Sequence, residues 1–314
     1  MGFWHAETIK RIGGEIVAVI DSDHKKADTL TQWNPKARMY SDIEQALAVQ
    51  ILDVLHICMP ANTHQSLIET AIEVGCHVLI EKPVSATAAE MRRVYSLAEA
   101  QGVMVCPVHQ FPFQDGVLKA KETLGNIGRL LHIGTRIYSA GGEGKTLKEL
   151  EQTIFDILPH PLSLIQTFDM PPLAGIVWQV ERSASGELMV FGHADAVSLL
   201  ISISMNARPT ANTCELTATA GTVHLDLLHG YATIEPGEVS RKRKALHPFA
   251  FAGRHLLAAS SNLARQALLR EPAYPGLRRL FTAFYDAVKG KSPPPFLPED
   301  VIDLAVARDN IMGC

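Results

Sequence analysis

The chain has 314 residues, 47% of them hydrophobic and 20% charged. At about 150 residues per domain this allows two domains and a core that buries roughly three quarters of the unfolded surface. The 22 Gly and 18 Pro are spread along the chain, which excludes a disordered, collagenous or coiled-coil protein. With 29 Lys plus Arg against 33 Asp plus Glu the net charge is −4. No bulk positive field is available to hold nucleic acid or an anionic membrane, so neither is expected as a partner.

Apolar runs such as Ile16 to Ile20 and Ala196 to Met205 fall well short of the ~20 residues that a membrane-spanning helix needs. The opening Met-Gly-Phe-Trp-His-Ala-Glu lacks a basic segment followed by an apolar run and a cleavage site, and the expected location is the cytoplasm. Five scattered cysteines, Cys58, Cys76, Cys106, Cys214 and Cys314, form no C-x-x-C or zinc-finger spacing. They are expected to be reduced thiols, three of them in the core, with no metal site.

From residue 15 to about 106 short apolar strands alternate with amphipathic helices. Glu15 to Ile20 is a β-branched run, and helices follow at Asp23 to Gln32 and, opening on an Asp cap, at Asp42 to Gln50. The fully apolar strand Asp53 to Met59 precedes a helix from about Thr63 to Val74, a strand at His77 to Ile80, a helix from Thr87 to Gln101 and a strand at Val103 to Cys106. This rhythm predicts βαβ units in a doubly wound, parallel α/β domain spanning residues 1–110.

After about residue 110 the pattern changes. A helix is expected near Gly116 to Leu124, a strand at Leu130 to Ser139, and a helical region between Leu147 and Phe168 broken by Pro159 and Pro161. Six strands joined by Gly-containing turns then run from Ile176 to Glu235, as a large, mostly antiparallel open sheet requires. Helices at Arg254 to Leu269, Gly276 to Lys289 and Pro298 to Met312 complete an α+β domain of residues 111–314, the last of them a candidate to pack back on the first domain. Two such domains are expected to enclose a cleft, with ligands outside the carboxyl ends of the parallel strands. An antiparallel sheet with one open face further suggests a homodimer or homotetramer.

Chemistry is sought at those strand ends. Asp21 closes the first strand, where a carboxylate accepts hydrogen bonds from adenosine ribose hydroxyls and repels a 2′-phosphate, favouring NAD over NADP. It fits equally well as a helix cap shared with Ser22 and Asp23, and Lys25 and Lys26 leave room for NADP. Met59-Pro-Ala-Asn-Thr-His64 links a buried strand to a helix and offers backbone amides to a phosphate or ribose, as any such turn does. Glu81-Lys82-Pro83 is sharper. A lysine at the end of a buried strand, held extended by the following proline, is partly desolvated; beside a cationic nicotinamide ring it can exchange a proton with a substrate hydroxyl. The plainer alternative is a surface lysine at the sheet end.

Asp156 and His160 stand within one helical turn of each other, with the helix starting close to His160 because of its flanking prolines. The spacing suits a carboxylate that orients an imidazole or binds substrate, and also a surface cap beside a histidine. Arg241-Lys-Arg-Lys244 follows Pro236-Gly237, lacks interleaved aromatics and reads as a solvated loop. His56, His77, His132 and His224 alternate with apolar residues and read as sheet-face or core residues.

Together, His5-Ala6-Glu7 with the strand ending in Asp21, Pro60-Ala-Asn-Thr-His64, Gly75-Cys-His-Val-Leu-Ile-Glu-Lys-Pro83, the Gly125 to Arg129 turn and Asp156-x-x-x-His160 resemble the family of glucose-fructose oxidoreductase, inositol dehydrogenase and the rhizopine-catabolism dehydrogenases. The resemblance implies a Rossmann-type domain and a substrate domain built on an open sheet. It also implies NAD(P)-dependent hydride transfer at a secondary alcohol or ketone of a sugar, cyclitol or nucleotide sugar. Lys82 and His160 would be the acid/base groups, assisted by Asp156. Asp21 and Ser22, the Met59, Pro60, Asn62 and His64 segment, Glu81 with Lys82, and Gln110 would line the cofactor.

Set against the family pattern, this chain opens at Met1-Gly-Phe-Trp-His5 and keeps at most Gly2 of the G-x-G-x-x-G loop. The first strand and that loop would then be missing, and weak NAD binding and difficult folding are expected of the chain. Gln110-Phe-Pro-Phe113 replaces the usual polar run after the sixth strand, and Leu158 replaces a family glycine. Two other classes of activity compete with a dehydrogenase: NAD-assisted glycoside cleavage or elimination, and a non-catalytic ligand sensor.

Overall fold

The computed structural model describes residues 1–183, 185–237, 244–271 and 273–313. Arg241, Lys242 and Arg243 of the basic run, and Cys314, lie outside the described residues. The chain divides into two compact units, Met1–Val108 with Arg278–Ile302, and His109–Leu277 with Asp303–Cys314. Among the described residues no helix is long and apolar enough to cross a membrane.

The first unit runs α1 (Gly2–Arg11), β1 (Ala18–Ile20), α2 (His24–Gln32), β2 (Arg38–Tyr40), α3 (Ile43–Leu47), β3 (Val54–Ile57), α4 (His64–Glu73), β4 (His77–Ile80), α5 (Ala88–Ala100) and β5 (Val105–Pro107). Helices α2, α3 and α5 begin where side chains satisfy the orphan amide groups of the first turn. The Asp23 carboxylate accepts from the Lys25 and Lys26 amides, and that of Asp42 from the Gln45 amide. Thr87 and Glu90 close a reciprocal capping box at α5.

β1 pairs with β2, and β3 with β4 and β4 with β5, all in parallel. Parallel neighbours require crossovers, and α2, α4 and α5 supply them. In β4, Val78, Leu79 and Ile80 are wholly buried, as expected of a strand covered on both faces. Asp21, Glu81 and the segment from Cys58 to Pro60 therefore leave the carboxyl ends of β1, β4 and β3. These are the positions at which doubly wound sheets present residues to ligands.

The second unit contains α6 (Asp115–Leu124), β6 (Leu130–Tyr138), α7 (Leu147–Ile157), α8 (Pro159–Gln166), β7 (Gln179–Arg182), β8 (Leu188–Ala194), β9 (Val197–Ser204), β10 (Ala211–Ala218), β11 (Gly221–Asp226), β12 (Tyr231–Pro236) and α9 (His247–Leu269). Its seven-stranded sheet has the order β12-β11-β10-β6-β9-β8-β7. Only β6 and β9 pair in parallel. Leu188, Val190 and Ala194 of β8 face the core, while Met189 and Phe191 remain 38% and 40% exposed on the other face. On the covered face Ile133, Leu199, Ile201 and Leu216 pack in one cluster with Ile154, Leu158, Leu162 and Ile165 of the α7–α8 region. A Rossmann-type parallel domain followed by a largely antiparallel sheet domain is the architecture the sequence led us to expect.

Candidate active site

At the end of β1 the Asp21 amide donates to the Tyr40 carbonyl at 3.2 Å, and its Oδ1 accepts the Asp23 amide at 2.8 Å. The cap of α2 is thus Asp23, and Asp21 sits two residues earlier, half-buried, with Ser22 exposed. The Asp21 Oδ2 atom has no protein donor among the described residues, which fits an acceptor for paired ribose hydroxyls.

After β3, Met59 and Asn62 are exposed and Pro60 opens a 3₁₀ turn. The Pro60 carbonyl accepts the Thr63 amide at 3.0 Å and the Thr63 hydroxyl at 2.9 Å. His64 is placed differently from its neighbours. Only 1% exposed, it sets Nδ1 2.9 Å from the Pro83 carbonyl and Nε2 2.8 Å from that of Met59. It stands behind the turn and ties it to the segment that follows Lys82. Burial and the nearby Glu81 carboxylate push the Cys58 thiol up to about 12, so it is no nucleophile at neutral pH.

Glu81 and Lys82 follow β4 directly, with the Glu81 amide on the Ile57 carbonyl at 2.9 Å and a cis peptide bond between Lys82 and Pro83. Lys82 is half-buried. The Glu81 carboxylate lies 3.1 Å from His5 Nε2, His5 Nδ1 lies 3.0 Å from His56 Nδ1, and His56 Nε2 lies 2.9 Å from the Tyr285 hydroxyl. Phe281 packs edge-on against both imidazoles at 4.9 and 5.1 Å. The sequence reads His56 as a sheet-face or core residue, in keeping with its enclosure, and gives Phe281 and Tyr285 no part. The only cue was His5 within the resemblance to the family.

Enclosure by these rings holds the His56 pKa well below its ordinary 6.5, helped by His5, and burial raises that of the Tyr285 phenol. A histidine neutral in the folded state but free to protonate when unfolded leaves stability intact above pH 6.5. Stability then falls as pH drops from that value toward the depressed folded pKa, by up to about 1.4 kcal/mol per unit. Denaturant unfolding between about pH 7 and pH 5 is expected to show this loss, with a shallower slope in His56→Gln.

In the second unit α7 opens on a capping box of Thr146 and Glu149 and ends at Ile157. Pro159 starts α8, where its missing N–H is harmless, so His160 lies in the first turn of that helix. The Asp156 carboxylate accepts from Gln152 Nε2 at 3.0 Å on the last turn of α7. The His160 ring stacks on Phe111 at 4.6 Å and 19°. Phe111, 5% exposed, belongs to the 3₁₀ turn Phe111–Phe113 that Gln110 opens. The segment that departs from the family pattern is therefore what braces the histidine. On the residue before Asp156, the Phe155 ring carries the Arg308 guanidinium 4.2 Å from its centroid. Among the described residues no group of three or more His, Cys, Asp or Glu is placed to hold a metal ion.

Residues 2–109 match the model of the oxidoreductase family with an NAD-binding Rossmann fold. Over those residues the chain is similar to the nucleotide-binding domain of the glucose-fructose oxidoreductase, inositol dehydrogenase and rhizopine-catabolism family. The D-apiose dehydrogenase of Paraburkholderia graminis is 25% identical over 207 residues, 62% of this chain and 55% of that protein. The alignments to the curated relatives extend over a quarter to about half of those proteins, 26% and 55% in two of them. Among solved structures, the WlbA dehydrogenase of Bordetella pertussis in complex with NADH and UDP-GlcNAcA superposes with a TM-score of 0.73 at 13% identity, covering 99% of this chain and 92% of that one. KijD10, a 3-ketoreductase of Actinomadura kijaniata in complex with NADP and TDP-benzene, gives 0.75 at 15% identity over 98% and 91%. Both likenesses extend the shared fold across both units.

Proposed function

We propose that the protein is an NAD(P)-dependent dehydrogenase that interconverts a secondary alcohol and a ketone on a sugar, cyclitol or nucleotide sugar, with NAD preferred. The observation that carries this reading is Lys82, half-buried at the carboxyl end of β4 in a domain of an NAD-binding oxidoreductase family. Asp21 would hold the adenosine ribose, and the Met59, Pro60 and Asn62 turn with Glu81 and Gln110 would hold the rest of the dinucleotide. Nicotinamide, when bound, supplies the hydride acceptor or donor. Lys82 takes the hydroxyl proton as the carbinol is oxidised and returns it in reduction. His160, braced by Phe111 and preceded by Asp156, is the acid/base or substrate-orienting group of the second unit. The names of the relatives support sugar and nucleotide-sugar substrates; a cytoplasmic homodimer or homotetramer is proposed on the sequence alone.

The test is NADH formation with a panel of polyols, glycosides and UDP-sugars. Oxidation of one of them bears out the reading, and binding without reduced cofactor turns it into the sensor reading. For the cofactor choice, Asp21→Ser is expected to lower NAD affinity by roughly 10- to 100-fold, the worth of a charged hydrogen bond, and to lose the preference over NADP in calorimetry.

A further inference from the structure

Lys82 has a buried histidine working on the residue at each side of it. On the carboxyl side, His64 reaches the Pro83 carbonyl at 2.9 Å. On the amino side, His5 reaches the Glu81 carboxylate at 3.1 Å while the Glu81 amide is held by β3. His5 is 2% exposed and the Glu81 side chain 13%. These contacts are not local in sequence: His5 lies on α1, 76 residues from Glu81.

The protons on this chain are constrained by chemistry. A carboxylate only accepts, so the 3.1 Å contact needs a proton on His5 Nε2. The two Nδ1 atoms, 3.0 Å apart, share a single proton, since two N–H groups would repel and two lone pairs would not bond. The 2.9 Å contact from His56 Nε2 to the Tyr285 hydroxyl works with either partner as donor. Whichever Nδ1 holds the shared proton, Nε2 of His5 is a donor. The His56–Tyr285 pair fixes the His5 ring plane, with Phe281 packed against it.

We propose that His5 is a positioning residue: by clamping the Glu81 carboxylate, with His64 clamping Pro83, it fixes the backbone that presents Lys82. This role rests on the reading of Lys82 as the proton-transfer group. The test needs no substrate, so the clamp and the dehydrogenase reading fail separately.

Two substitutions separate the two bonds of His5. His5→Asn places an amide where Nδ1 stood, keeping a partner for His56 and losing the donor to Glu81. His5→Gln reaches as far as Nε2 and keeps that donor. Hydrogen exchange of the full chain, followed by mass spectrometry, is expected to speed up about tenfold in residues 81–84 of His5→Asn. β3, β4 and α5 should stay unchanged, and His5→Gln should restore protection. In the unmodified protein, ¹⁵N imidazole spectra at neutral pH should show His5 protonated at Nε2. Uniform acceleration through β3, β4 and α5 would reduce His5 to a general packing residue and overturn the proposal. So would unchanged exchange in His5→Asn. If His5→Asn does not fold, the ¹⁵N spectrum decides, and an unprotonated Nε2 overturns the clamp.

Discussion

Replacing Lys82 with methionine is expected to lower kcat for cofactor reduction by about 10²- to 10⁴-fold, the usual worth of a positioned acid/base group, with little change in NAD affinity. Methionine keeps the length and apolar stem of lysine and removes only the amine. Lys82→Arg keeps the positive charge, yet a guanidinium does not release its proton near neutral pH and should be almost as inactive. The pair separates proton transfer from simple charge. Activity in Lys82→Arg close to that of the unmodified protein would leave Lys82 an electrostatic role and take proton transfer away from it. Steady-state kinetics with the alcohol found by the panel, combined with calorimetry of NAD binding, reads both quantities.

The largest effect on stability is expected at Arg308. This side chain is 2% exposed, donates through Nε and Nη2 to Asp309 Oδ1 at 3.0 and 2.7 Å, and covers the Phe155 ring. Removing one member of a buried ion pair strands the other charge, so Arg308→Leu should cost about 3–5 kcal/mol in denaturant unfolding. That is a large fraction of the roughly 5–15 kcal/mol by which folded proteins exceed their unfolded states. Arg308→Met combined with Asp309→Asn removes the stranded charge as well and should recover part of the loss. A cost below about 1 kcal/mol for Arg308→Leu would mean that water reaches the pair.

What was legible in the sequence follows from burial. β4 reads as a strand because both its faces are covered and its residues are uniformly apolar, and α5 is announced by Thr87 and Glu90. β2, only Arg38–Tyr40 with two exposed residues, carries no apolar alternation to find. α1 buries His5 and Thr8 beside Ala6 and Ile9, so its inward face is half polar and its helical period is masked. The strand-end positions of Asp21, Glu81 and Lys82 were readable because doubly wound topology dictates where carboxyl ends lie. The chain from Glu81 to Tyr285 was not, because it joins residues up to 229 apart in sequence through contacts that no local spacing encodes. The stacking of His160 on Phe111 was hidden for the same reason, since the two residues come from a loop and a helix on either side of β6 and α7.

The most direct measurement uses a substrate carrying deuterium at the carbon to be oxidised, with NAD and the unmodified protein. Recovery of the deuterium at C4 of the reduced nicotinamide, together with a ketone product, is the expected result. Release of the label into water, or turnover of the sugar with no net reduced cofactor, would mean that the protein does not carry out net oxidation of an alcohol.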